Sequence, residues 1–265
     1  MATLLLLVVG CENTYVETLR SSQPTGEGNI FHATLDDASR TYLDEDVRLR
    51  WNADDEVTIF DGCTRNKQYL FAGEEGSNAG DFTPVAGGYG TGNPLKANYA
   101  IYPYAATTTI SEEGIIGYTW PAVQNYAVNT VGRGANVVVA ATEGVHDYDL
   151  VFRNVGSMLR LKLYGAQQAV GSIVVEARAG EPLSGSSLIT PQYSGVPTCK
   201  MTGDGGSVTL DCGSGVLVGN SEAKATSFWI VIPAGTYAEG IKVTVNGVNG
   251  ESQSFDVTSS VTMKR

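Results

Sequence analysis

The chain has few of the residues on which active sites are usually built. It contains two histidines, His32 and His146. They lie far apart in sequence and outside any metal-ligand spacing. No Gly-x-Ser-x-Gly elbow occurs, so a lipase-type nucleophile lacks the strained turn that would present it. The cluster Gly87-Gly88-Tyr89-Gly90-Thr91-Gly92 matches neither a dinucleotide nor a phosphate-loop spacing, and it precedes no helical pattern whose dipole would hold a phosphate. Two carboxylates of a glycosidase can converge from anywhere in a fold, but nothing local points to such a pair. The residues therefore predict a protein that is not an enzyme, with no cofactor and no metal.

Positive charge is also scarce. Seventeen Lys and Arg stand against 28 Asp and Glu, for a net charge of -11. Such a surface repels nucleic acid, and no basic patch offsets it, so no nucleic-acid partner is expected. The four cysteines, Cys11, Cys63, Cys199 and Cys212, are few for a disulfide scaffold of this length. Their spacing matches no zinc motif.

Long apolar runs are missing as well. Leu4–Val9 is too short to span a bilayer and fits the apolar core of a secretory signal. Val8-Val9-Gly10-Cys11 resembles a bacterial lipobox, which makes Cys11 the lipidated first residue after cleavage. The competing reading is a buried strand that ends in Cys. Residues 12–29 are polar, with Ser21, Ser22, Pro24, Gly26 and Gly28 close together, and read as a flexible tether.

What the chain does have is glycine (32 residues), tyrosine (13) and recurring Thr, Val and Ser. That mixture suits short strands joined by tight turns. Val47-Arg48-Leu49-Arg50-Trp51 alternates like a half-buried antiparallel strand. Asn52–Asp55 supplies a turn and Val57–Phe60 a return strand. Further strands are expected at Tyr99–Tyr104, Tyr118–Trp120, Asn136–Ala140, Leu159–Leu163 and Ser172–Glu176. Ile241–Val245 and Ser254–Val257 form a pair around Asn246-Gly247. Phe228–Ile232 is almost wholly apolar, as expected of a strand covered on both faces. A linker near Gly144–Asp149 divides the chain into residues 30–146 and 147–265. Two tandem antiparallel β-sandwiches of immunoglobulin-like style are the predicted architecture of this all-β chain.

Three features have competing readings. A two-residue turn at Gly205-Gly206 would set Met201 opposite Leu210, Lys200 opposite Asp211 and Cys199 opposite Cys212. A Cys199–Cys212 disulfide then needs an oxidising compartment and suitable geometry. Cys63 is left over as a buried thiol. Asp54, Asp55, Glu56 and Asp61 either hold calcium or form a solvated turn. Trp120 and Trp229 belong either to the core or to an exposed sugar-stacking surface, and the latter would make the chain a glycan-binding surface lipoprotein.

Several segments together resemble the fimbrillin family of Bacteroidales, the subunits of type V pili. They are Phe31–Leu35, Ser39-Arg40-Thr41, Val47–Trp51, Asp54–Phe60, Tyr99–Tyr104, Trp120-Pro121-Ala122-Val123-Gln124 and Leu150–Leu159. The resemblance implies a two-domain, transthyretin-like β-sandwich protein exported as a lipoprotein to the outer membrane and built into a cell-surface fimbria. It implies an arginine-directed cut in the loop after the first strand, loss of that strand, and filling of the groove by a strand from a neighbouring subunit. In this chain the loop is Asp36–Thr41, the processing site Arg40-Thr41 and the departing strand Ile30–Leu35, with Arg20 as a competing site. The implied partners are like or unlike pilus subunits, the outer membrane through the lipid on Cys11, and a host or bacterial surface ligand. Family members usually run beyond the point matching Lys264-Arg265, which leaves stalk, tip and anchor positions open.

Overall fold

The computed structural model describes residues 28–36, 50–87, 90–165 and 168–265. Cys11, Arg20, Arg40, Thr41 and Val47–Leu49 lie outside them. In the first half the strands are β1 (Phe31–Leu35), β2 (Glu56–Phe60), β3 (Lys67–Phe71), β4 (Ala79–Pro84), β5 (Tyr99–Tyr102), β6 (Thr109–Ile110), β7 (Ile116–Trp120), β8 (Val123–Asn125) and β9 (Val138–Ala141). The second half contains β10 (Asp149–Asn154), β11 (Gly156–Leu163), β12 (Ala169–Ala177), β13 (Gly185–Thr190), β14 (Thr198–Met201) and β15 (Ser207–Leu217). After a three-residue 3-10 turn come β16 (Thr226–Pro233), β17 (Gly235–Tyr237), β18 (Ile241–Gly247), β19 (Ser252–Val257) and β20 (Val261–Met263). The chain is all-β, as its composition implies.

Seven strands close into a barrel in the order β1-β10-β9-β5-β2-β3-β4. Its core is built on Trp51. The indole meets Phe82, Tyr102 and Phe152 edge-on at 5.1, 5.7 and 5.2 Å, geometries that favour the aromatic quadrupole. The expected strand ending at Trp51 is not seen at Arg50 and Trp51, which lie outside the ladders, although Trp51 itself is fully buried. The return strand β2 pairs with β3 and β5. Strands β3 and β4 are not among those expected from the sequence; Gly80 and Pro84 interrupt the pattern of β4.

The outer faces of β2, β5 and β9 are apolar too. Ala100 and Tyr102 point into the barrel, while Ile101 between them joins a second core with Phe60, Val137 and Val139. That core is closed from the other side by Ile116, Trp120, Ile189, Trp229 and Val231, carried on the sheet β14-β13-β7-β6 and on β16. A third core lies between the sheet β19-β18-β12-β15-β8 and the β11-β16 pair. Strand β16 alternates between the two, with Phe228, Ile230 and Ile232 in the third core and Trp229 and Val231 in the second. Both of its faces are covered, as its apolar run implied.

Two expectations are corrected. The strand expected to open the second domain, β10, is hydrogen-bonded into the barrel between β1 and β9. Strands β7 and β8 from the first half pair instead with β13 and β15. The hairpin through Gly205-Gly206 does not form: β14 pairs with β13, and β15 with β12 and β8. The apolar row of β14, Cys199 and Met201, packs on the second core, whereas Val208, Leu210 and Cys212 of β15 face the third. The chain crosses between sheets there, so Cys199 and Cys212 are both free thiols, and burial pushes both up, Cys212 to about 11.

Candidate strand-exchange site

Strand β1 closes the barrel. The order Phe-His-Ala-Thr-Leu alternates, so Phe31, Ala33 and Leu35 point inward and are buried while His32 and Thr34 face out. On one side β1 runs antiparallel to β4, with Phe31 opposite Phe82 and Ala33 opposite Gly80. On the other it runs parallel to β10, with Ala33 opposite Leu150 and Leu35 opposite Phe152. Phe31 sits edge-on between the rings of Tyr69 and Tyr148 at 5.6 and 5.5 Å. Gly80 cannot be larger, because a Cβ there would lie 2.5 Å from the Phe71 ring.

Polar clasps hold both ends of β1. At its start, Asn29 donates its backbone N–H (3.4 Å) and Nδ2 (2.9 Å) to the Asp61 carboxylate. Asp61 also receives Lys67 Nζ at 3.0 Å and the Tyr69 hydroxyl at 3.4 Å. Burial raises the Asp61 pKa, but Asn29 and Lys67 more than offset that and hold it below its ordinary value. In the middle, His32 Nδ1 meets Asp81. At the end, Asp36 donates its backbone N–H to Phe152 O at 3.0 Å, and its carboxylate pairs with Arg153 Nε at 3.2 Å. Arg153 Nη1 also donates to the Gln192 and Tyr193 carbonyls at 3.2 and 3.1 Å.

Of the residues singled out in the sequence, Cys11, Arg40 and Thr41 lie outside the described residues. The segment carrying Arg40-Thr41 directly follows Asp36. The acidic quartet does not gather. Asp55 is buried and accepts from the Asn52 N–H, the Tyr102 hydroxyl and Arg133 Nε, and burial raises its pKa against those partners. Asp54 and Glu56 are exposed, and Asp61 sits at the far end of β2 on Lys67. Among the described residues no three of His, Cys, Asp and Glu stand close enough to hold a metal ion. Cys63 is half-buried, with Arg65 Nε donating to its sulfur at 3.2 Å. Trp120 and Trp229 are 2% and 9% exposed, so both are core residues. The Trp120 indole donates to Ser187 Oγ, and Arg160 lies over the Trp229 ring. Sequence reasoning took Asp61 only as one of the acidic quartet and missed Lys67 and Arg153. A lysine opening the apolar alternation Lys67–Phe71 is the signal that it passed over.

No family model matches the chain. Over 132 residues it is 28% identical to the sarcosine reductase complex component B subunit beta of Peptoclostridium acidaminophilum, across 49% of this chain and 29% of that protein. The chain thus spans less than a third of the length of this curated relative. Among solved structures, the crystal structure of a "putative cell adhesion protein" from Bacteroides uniformis aligns over 89% of this chain and 86% of its own at 18% identity and TM-score 0.46. A similarly described protein from Bacteroides ovatus aligns over 92% and 90% at 14% identity and TM-score 0.47.

Proposed function

We propose that the chain is a structural and adhesive subunit of a cell-surface fimbria, exported as a lipoprotein through Cys11 and assembled when proteolysis at Arg40 releases β1. The observation that carries this reading is the position of β1. It is a five-residue strand paired on both sides, on β4 and β10, and it enters and leaves the barrel at one end of the sequence. Among the described residues it is the first strand, so a cut in the connection that follows separates it from every other described strand. Its removal would bare two strand edges with unpaired N–H and C=O groups over an apolar slot, and an extended strand from another subunit satisfies both. No polar catalytic step is needed for such assembly.

The test is digestion with an arginine-specific protease, read by N-terminal sequencing and size-exclusion chromatography. The expected result is a new N-terminus at Thr41 followed by growth of ladder-like oligomers. An intact monomer with no cut after Arg40 overturns the processing step.

A further inference from the structure

We propose that the slot of β1 selects the incoming strand by a side-chain pattern, large, small and large apolar residues at alternate positions and then at once a carboxylate, and that Arg153 reads the carboxylate. This rests on the strand-exchange reading above. The first position lies between the Tyr69 and Tyr148 rings and is filled by the ring of Phe31. The second is closed: Ala33 lies between Gly80 and Leu150, and the Phe71 ring already occupies the space where a Gly80 Cβ would be. A larger side chain there overpacks the barrel. The third is fully buried and takes Leu35.

The fourth position follows immediately. Asp36 stays on the β10 ladder through its N–H to Phe152 O, and this turns its carboxylate toward Arg153. Arg153 does not depend on β1 for its place. It extends from β10 and is anchored by the carbonyls of Gln192 and Tyr193 in the β13–β14 connection. The cleft beside it is lined by Asp36, Arg153, Val196 and Arg265, so a second guanidinium stands near the slot's end. Departure of Asp36 leaves two cationic groups at that end, on a chain whose net charge is -11. A carboxylate restores the balance, and an incoming lysine is repelled. The same arrangement sets direction. At the opposite end the cation, Lys67, is already matched by Asp61, so an acid there gains nothing. The incoming strand therefore runs parallel to β10, as β1 does.

The test uses a fluorescent, C-terminally amidated peptide of residues 28–36 and its Asp36→Asn, Asp36→Lys and Ala33→Leu versions. The hosts are the full chain carrying Phe31→Asp and Leu35→Asp, which expels its own β1 without any cut, and the protease-cut wild type. Binding is read by anisotropy. The parent peptide is expected to bind either host, with Asp36→Asn weakening it about three- to fivefold, the scale of one partly exposed ion pair. Ala33→Leu weakens it more than about tenfold, and Asp36→Lys binds worst until Arg153→Glu in the host restores it. Equal binding of the Asp and Lys peptides, or no restoration by Arg153→Glu, overturns the proposal. Selectivity in the expelled-strand host without a cut at Arg40 would refute processing and leave the slot's selectivity standing. Cutting and oligomer growth without selectivity would do the reverse. Should the doubly substituted host not fold, hydrogen exchange in the intact chain decides. Arg153→Glu should speed exchange at β1 several-fold and the Asp36→Lys/Arg153→Glu pair should return it, whereas unchanged rates in both overturn the proposal.

Discussion

At the residue scale, three side chains carry more than their share. Lys67 and Asp61 form a nearly water-free ion pair, 4% and 9% exposed. Asp61→Asn leaves the ammonium buried without its counter-charge. We expect a loss of about 3–5 kcal/mol in urea unfolding, with β1 loosened first, because Asn29 loses its acceptor. The sign of the pH dependence follows from the direction of the shift. Asp61 titrates below 3.8 in the folded chain, so its contribution is complete above that value and lost as pH falls through the folded pKa. Wild type should therefore lose stability on acidification below about pH 4 by more than Asp61→Asn does, as urea midpoints across pH 2–6 will show. Asp55 runs the other way. Its pKa is raised by burial, and its protonation relieves part of that cost. The third residue is Gln124, buried beside β16. Its Nε2 donates to Val231 O at 2.6 Å and its Oε1 accepts from Val231 N at 2.9 Å, so one amide side chain stands in for a neighbouring strand. Gln124→Ala leaves two buried backbone groups unpaired and should cost about 2–4 kcal/mol; Gln124→Glu, whose carboxylate accepts from Val231 N but sets a buried charge against Val231 O, should not recover it.

At the scale of elements, β1 is one short segment on which the closure of the barrel depends. It buries Phe31, Ala33 and Leu35 and closes two ladders, yet it is only five residues long. Ala33→Leu should destabilise the intact chain by about 1–3 kcal/mol through overpacking, and hydrogen exchange should rise in β4 and β10 but not in β12 or β18. A uniform rise across both halves would show that the site is not local to the barrel. The alternation of Phe31–Leu35 has a period of two that matches one buried face. Its parallel partner was not legible from the sequence, since a strand near the start and one at Asp149–Asn154 meet only through the closure of the barrel. The Cys199–Cys212 register failed at this same scale. Local complementarity across a turn was coherent, but each strand's apolar row had a better core to join on a different sheet.

At the scale of the whole molecule, the second core binds the two halves. Barrel residues Phe60, Ile101, Val137 and Val139 pack with Ile116, Trp120, Ile189, Trp229 and Val231, and β7 and β8 cross from the first half to sheets of the second. The halves are therefore expected to unfold together. Calorimetry should show one transition whose van't Hoff and calorimetric enthalpies agree, and Ile101→Ala should lower it as a single peak while costing about 2–5 kcal/mol. Two peaks, with only one moved by Ile101→Ala, would show that the halves are energetically independent.

The sequence by itself determined the all-β class, most strand positions and the two-faced burial of β16, because period-two alternation and unbroken apolar runs are local signals that report how many faces a strand buries. The resemblance, not the residue pattern, marked Ile30–Leu35 as a strand, and its burial came from the structure. Only the tertiary structure decided that β1 lies between β4 and β10, that β10 belongs to the barrel, that Trp120 and Trp229 are core residues, and that Asp61 and Arg153 clasp the ends of β1. Those facts depend on which surfaces meet across long stretches of chain. Sheet closure and core assignment set such meetings, and no local pattern records them.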